Sequence, residues 1–346
     1  MTRRNATRRR FLLSCSAIAG VSLAGCTGGD DPAETDSTPT PTADGGRAEP
    51  STATATDTET ATPEQAAVET LVSVGGDRVP ENMAFGPDGD LYFGITAGEV
   101  RRVPEAETGT TGLSLEDTEQ VATLPGAIGV ETAPDGTVYV AVATQDDQAG
   151  VWEVPPDGEA TQLVGISGFP NDIHYDTDRE RLLVTESQNG VVYSVTTDGE
   201  RSEWLDDDRL ATESFGANGI TRDGDGTIYV AVTRAPEETG RLLSVPVESD
   251  GVAGEPSMFF EGGAIFGADG ITSRDGDIYV AANSQNRVVR VTADGATEAV
   301  ATGDDGLVFP SDVLFGVGDQ RESLFICNFA NNSPEDGAIL RTSVPR

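Results

Sequence analysis

The stretch Phe215–Val232, FGANGITRDGDGTIYVAV, sets the pattern for the rest of the chain. Asn218 leads into a short apolar run, Asp223 to Gly226 form a polar, glycine-containing turn, and Thr227 to Val232 return in β-branched and aromatic residues. Two short runs of strand composition around an Asp/Gly turn read as a β-hairpin, with the polar Asn218 at its mouth.

Relatives of this hairpin recur along the chain. Aligning the second strand of each copy on its aromatic or apolar centre gives Tyr92, Tyr139, Leu183, Tyr229, Tyr279 and Phe325, spaced by 47, 44, 46, 50 and 46 residues. Two further strand-like runs follow nearly every hairpin. In the first copy, Met83–Phe85 and Leu91–Ile95 flank the turn Pro87-Asp88-Gly89, then come Glu99–Pro104 and Gln120–Leu124. Six four-strand units at this period match propeller blades. The sixth unit stops after its third strand, Ala338–Val344, while Val68–Val74 (VETLVSV) alternates ahead of the first unit with nothing local to pair with. The expectation is an all-β, six-bladed β-propeller over residues 67–346, closed by an N-terminal strand that completes the last blade and removes its open edge.

The chain before residue 67 has a different character. Thr7-Arg8-Arg9-Arg10-Phe11-Leu12-Leu13 resembles a twin-arginine export pattern, and Leu23-Ala24-Gly25-Cys26 resembles a lipobox. The apolar run between them, Phe11–Ala24, is shorter than the roughly 20 residues a membrane span needs. Residues 1–26 are therefore expected to be a lipoprotein signal, cleaved before Cys26, with lipid on the Cys26 thiol anchoring the protein to the outer face of the cell membrane. Residues 27–66, rich in Thr, Ala, Pro, Asp and Glu, cannot bury a core and read as an extended acidic tether. Of the three cysteines, Cys15 and Cys26 belong to the signal, so Cys327 has no disulfide partner in the mature domain.

Asp and Glu number 59 against 22 cations, every one of them arginine, for a formal charge of -37. Such a surface opposes binding to nucleic acid phosphates and suits solution at high salt, and it resembles the proteins of halophilic archaea. Acidic clusters such as Asp206-Asp207-Asp208 are accordingly read as solvent adaptation rather than as metal sites.

In a propeller the first strand of each blade lines the central channel, so equal register means equal height. Counting back from the first hairpin turn places Glu81, Ile128, Asn171, Asn218, Asp269 and Ser311 at one level. Glu81, Asn171, Asn218 and Asp269 are oxygen donors suited to a hard cation. Asn and Asp also favour loop-to-strand junctions for backbone reasons, but Glu81 does not share that preference. Residues just past the second strands ring the same mouth: Thr96, Thr144, Glu186, Arg234, Asn283 and Asn328. Of these, Arg234, Asn283 and Glu186 are candidate substrate contacts. His174, the one histidine, lies on a first strand and is expected to pack rather than to catalyse.

From Val79 to Asn328 the chain resembles the senescence marker protein, gluconolactonase and luciferin-regenerating enzyme family. Glu81-Asn82-Met83-Ala84-Phe85 resembles that family's glutamate motif, Asn171-Asp172 its Asn-Asp pair, Ala217-Asn218-Gly219 its Pro-Asn-Gly motif and Ala268-Asp269-Gly270 its Pro-Asp-Gly motif. The resemblance implies a six-bladed propeller that hydrolyses lactones or related esters with a divalent metal held by Glu81, Asn171, Asn218 and Asp269. Asp269 would be the base, with Glu81 as second choice. All-oxygen ligation points to calcium first, with magnesium, manganese or zinc as alternatives. Two departures bear on substrate: Phe169 stands where sugar-lactone members carry an Arg, and Asn82-Met83 replaces Gly-Pro. The expected partner is a small-molecule substrate and the expected state a monomer. The competing reading is a non-catalytic surface propeller with a structural cation that binds a small molecule or a protein.

Overall fold

A computed structural model describes residues 66–76 and 78–344. The residues read as an export signal, Cys26 and the expected tether through residue 65 lie outside the described residues. The strands form six sheets. Blade one comprises Pro80–Phe85, Leu91–Ile95, Glu99–Val103 and Glu119–Thr123, and blade four Ala217–Arg222, Ile228–Ala235, Thr239–Val245 and Ser257–Gly262. Blades two, three and five repeat the same antiparallel order and begin at Val130, Pro170 and Ala268.

The sixth sheet closes the ring. Its first three strands are Pro310–Phe315, Ser323–Asn328 and Ala338–Ser343, and the fourth is Glu69–Ser73 from the other end of the domain. Glu69 pairs with Arg341 and Ser73 with Ala338, with a bulge between Thr70 and Val72. One feature was not expected. Leu113–Ser114, from the connection inside blade one, adds a short parallel fifth strand onto Val72 and Ser73. The closing strand is therefore also covered on its outer side at Val72 and Ser73.

The alternating apolar residues pack between blades. Leu71 and Val72 join Phe93, Ile95 and Phe325 in the cluster between blades six and one. Trp204 and Leu205 of blade three meet Ile220, Val230 and Leu243 of blade four, and Tyr139 and Ile173 sit in the equivalent cluster between blades two and three. Each large apolar side chain so buried contributes about 1.5–3 kcal/mol. Cys327 belongs to this packing: it is buried, forms no disulfide, and burial raises its thiol pKa well above the usual range.

At the channel wall the packing tolerates no side chain at one register in blades two, four and five. The residues one step past the counted register are Asn82, Gly129, Asp172, Gly219, Gly270 and Asp312. A Cβ on Gly129 would lie 2.2 Å from the Asn171 carbonyl oxygen, and one on Gly270 would lie 2.1 Å from Asp312 Oδ1. Where the residue is polar, its oxygen accepts a backbone N–H of the next blade. Val130 N–H donates to Asn82 Oδ1 (2.9 Å), Ile220 N–H to Asp172 Oδ2 (2.9 Å) and Met83 N–H to Asp312 Oδ2 (3.0 Å). The blades are thus joined both by apolar faces and by buried side-chain-to-backbone hydrogen bonds.

Candidate metal centre

The first strands converge on the channel, and one cavity is lined by first-strand residues of all six blades, Asp172, Ile271 and Asp312 among them; it extends toward the far ends of those strands, at Phe85 and Phe315, and Glu81, Asn171, Asn218 and Asp269 do not line it. The entry to each first strand pairs with the exit of the second: Pro170 with Glu186, Ala217 with Val232, Ala268 with Ala282 and Pro310 with Asn328. That end is the mouth. Here the structure brings Glu81, Asn171, Asn218 and Asp269 to equivalent positions in blades one, three, four and five. Asn171, Asn218 and Asp269 are buried and Glu81 partly buried.

Three members of the set, Asn171, Asn218 and Asp269, are held by side-chain hydrogen bonds. Asn171 Nδ2 donates to Ser187 Oγ (2.9 Å), whose hydroxyl donates to the Ala217 carbonyl of the next blade (2.6 Å). Asn218 Nδ2 donates to Thr233 Oγ1 (2.9 Å). These bonds engage the amide nitrogens and leave each Oδ1, the atom that can ligate a cation, free of the hydroxyls. Asn283 Nδ2 donates to Asp269 Oδ2 at 2.7 Å. In blade six Ser311 Oγ reaches the Glu81 carbonyl at 2.5 Å, tying that blade to the glutamate strand.

The electrostatics favour a cation. Burial pushes the Asp269 carboxyl up to about 7, against the lowering effect of its hydrogen bonds from Asn283 and Asn218. Glu81 is raised well above the usual carboxylate range, by burial first and then by the charges of Asp269, Asp312 and Asp172. Arg234 is a cation whose charge lowers Asp269, but its side chain is exposed. Carboxylates strained in this way regain their ionised form when a metal joins them. The donor set consists of hard oxygens and fits a calcium- or magnesium-like ion rather than a soft metal. Among the described residues no three His, Cys, Asp or Glu side chains form a metal cluster of their own. A cation here therefore relies on the two asparagine oxygens as well as on the two carboxylates.

Two of the three mouth residues expected to touch substrate turn inward instead. Glu186 is fully buried, and its carboxylate accepts from the backbone N–H groups of Phe169 (2.7 Å), Gln188 (2.8 Å) and Asn189 (2.9 Å). Backbone donors supply the solvation that it lost, and no oxygen remains for a ligand. Asn283 is buried against Asp269 and positions that carboxylate. Arg234 alone of the three stands exposed at the mouth. Sequence reasoning missed Asp312 and the bridging role of Asp172. A signal was present, since Ser311-Asp312 repeats Asn171-Asp172 at the same register, each after a proline.

His174 lies on the channel wall beyond the mouth, level with Glu131 of blade two. Its Nδ1 is 3.9 Å from Glu131 Oε2, and its buried Nε2 has no hydrogen-bond partner. Burial lowers the imidazole to about 4 and raises Glu131 to about 7. The histidine is therefore neutral at pH 7 and packs in the wall. Glu131 in the folded chain keeps a proton that the unfolded chain releases near its ordinary pKa, so its contribution to stability is full below about 4.5 and is lost as pH rises through about 7. Replacing Glu131 by Gln is expected to flatten the stability profile between those pH values. A gain of about 1–2 kcal/mol at pH 8 should appear in denaturant titrations.

Comparisons with known proteins agree with the architecture. Residues 60–103 match the model of the strictosidine synthase-like N-terminal family. No curated protein sequence matches the chain. Among solved structures, a gluconolactonase from Xanthomonas campestris is 17% identical with a TM-score of 0.60, the match covering 81% of this chain and 90% of that one. An auxiliary nutrient binding protein from Bacteroides thetaiotaomicron is 12% identical with a TM-score of 0.61, covering 80% and 76%. A catalytically inactive virginiamycin B lyase from Staphylococcus aureus, crystallised with quinupristin, is 18% identical with a TM-score of 0.52, covering 77% and 80%. At these identities the likeness is one of fold, and the chain is a six-bladed β-propeller.

Proposed function

We propose that the protein is a metal-dependent hydrolase of a lactone or related cyclic ester. The observation that carries this reading is the meeting of Glu81, Asn171, Asn218 and Asp269 from four blades at one mouth, with the acids' pKa values raised by burial. The fold shared with a gluconolactonase is consistent with it. Glu81, Asn171, Asn218 and Asp269 would hold a hard divalent cation, which would supply Lewis-acid polarisation of an ester carbonyl and stabilisation of the developing oxyanion.

The chain's own residues do the rest. Asn171 and Asn218, locked through Ser187 and Thr233, present fixed oxygens and define where the reacting carbonyl sits. Asp269, steadied at Oδ2 by Asn283, accepts the proton of the attacking water and returns it to the departing ring oxygen. One C–O bond forms, the ring C–O bond breaks, and a hydroxy acid leaves. Glu81 keeps the site's charge balanced.

The same proposal places the enzyme outside the cell: exported through the twin-arginine route, held by lipid on Cys26 and carried on the acidic tether of residues 27–66. There it would act as a monomer on a small-molecule substrate, in salt that screens its charge of -37.

The test is hydrolysis of a lactone panel by purified domain in high salt, followed as acid release. Turnover that chelation abolishes, that calcium, magnesium or manganese restores and that Asn218→Ala lacks supports the reading. Equal turnover by wild type and Asn218→Ala, or none on any lactone, sinks it. The donor set also suits a purely structural cation that ties four blades together. In that case chelation lowers the melting temperature without any hydrolysis to lose.

A further inference from the structure

Above the four oxygen donors the mouth carries phenylalanine. Phe169 and Phe215 pack edge to face with centroids 5.1 Å apart, and they stand two and three residues before Asn171 and Asn218. Phe309 and Phe329 form a second pair at 5.8 Å; Phe309 precedes Ser311 by two residues and Phe329 follows Asn328. Blade six lies across the six-membered ring from blade three, so the two pairs flank the opening. Phe215 is 39% exposed and is the one aromatic among the exposed large hydrophobic side chains of the described residues. Together with the half-buried rings of Phe169, Phe309 and Phe329, it makes an apolar cluster at the channel entry of the kind that suits an apolar ligand.

Several polar groups of the mouth are engaged in holding those rings in place. Glu186 Oε1 accepts the Phe169 N–H at 2.7 Å, and the Phe215 carbonyl accepts the Arg234 N–H at 3.2 Å. Asn286 Oδ1 accepts the Phe309 N–H at 2.8 Å, and Asn328 Oδ1 accepts the neighbouring Val308 N–H at 2.8 Å. Phe309 is held at φ +50°, a left-handed conformation that costs a bulky residue energy and persists only when its surroundings enforce it. A polyhydroxylated ring brought out of water needs a partner for each hydroxyl, and the side-chain oxygens of Glu186, Asn286 and Asn328 are already taken, which leaves the exposed Arg234 of these residues to provide one. An alkyl or aryl group needs only the rings.

We propose that the mouth is a subsite for an apolar alkyl or aryl substituent on the cyclic ester, with Phe169 and Phe215 on one side and Phe309 and Phe329 on the other as specificity-determining residues. The proposal rests on the hydrolase reading, and its test separates the two. An alkyl-substituted δ-lactone and glucono-δ-lactone serve as substrates. The alkyl δ-lactam, which keeps the shape but resists hydrolysis, serves as a binding probe by calorimetry. The variants are Phe215→Ala, Phe169→Ala and Phe215→Leu.

Wild type is expected to favour the alkyl lactone in kcat/KM. Phe215→Ala should raise KM for the alkyl lactone and weaken lactam binding by about ten-fold each, leave kcat unchanged, and be partly rescued by Phe215→Leu. A preference for glucono-δ-lactone, or lactam binding that is equal in wild type, Phe215→Ala and Phe169→Ala, overturns the subsite while leaving hydrolysis intact. Lactam binding that depends on the phenylalanines, with no lactone hydrolysed, upholds the subsite and removes the hydrolase.

Discussion

Replacing Asp269 by Asn is expected to lower lactone hydrolysis by at least about 10³-fold and, in chelated protein at pH 8, to raise stability by about 2 kcal/mol. The two effects share one cause. Burial sets the Asp269 carboxyl at about 7, far above its ordinary value of 3.8, so the folded protein holds a proton there that the unfolded chain has already lost. Stability from this group is complete below about 3.8 and declines as pH rises through about 7. At pH 8 the ionised group costs the metal-free fold energy, and it also raises Glu81. Asparagine removes that charge while keeping an oxygen for the Asn283 amide. It also removes the only proton acceptor that Asn283 steadies, and hence the activity.

With calcium added, the order of stabilities should reverse, because the ion stabilises the wild type by binding its folded form more tightly. Melting curves at pH 5 and pH 8, with chelator and with calcium, read all four states. If the variant is no more stable than wild type at pH 8 in chelator, the charge argument is wrong. If its activity stays within ten-fold of wild type, Asp269 is not the base.

The second large effect is expected at Gly219. A Cβ there would sit 2.3 Å from the Asp269 carbonyl oxygen and 2.9 Å from both Gly270 Cα and Ile271 N. All three are backbone atoms of the neighbouring blade, so no rotamer change relieves the clash and the first strand of blade five must move. Gly219→Ala should destabilise the domain by about 3 kcal/mol or more. Because the displaced residue is Asp269, activity should fall further than folded fraction alone predicts. Gly224 provides the control. It lies in the outer turn of the same hairpin, and an added Cβ meets nothing within 4 Å. Gly224→Ala should stay within about 0.5 kcal/mol of wild type. Equal melting temperatures for the two variants would show that the blades do not approach as closely as these distances require.

The sequence by itself determined the ring and most of its polar level. Strand alternation and a blade-length period are local properties of the chain, so the hairpins from Leu91 to Phe325 and the unpaired strand near Val72 could be read without coordinates. Register is likewise countable from the nearest turn, which is why Glu81, Asn171, Asn218 and Asp269 were legible as one level.

Only the tertiary structure decided which way the remaining polar groups point. Asp312 holds Met83 across 229 residues of sequence, and Asn82 holds Val130 across 48. Glu186 and Asn283, which look like mouth ligands by position, are turned inward because buried backbone donors and a buried carboxylate need partners. Phe169 and Phe215 meet only because adjacent blades bring their loops together. A hydrogen-bond partner or an aromatic neighbour supplied by another blade leaves no periodic trace, and its geometry exists only once the ring has closed.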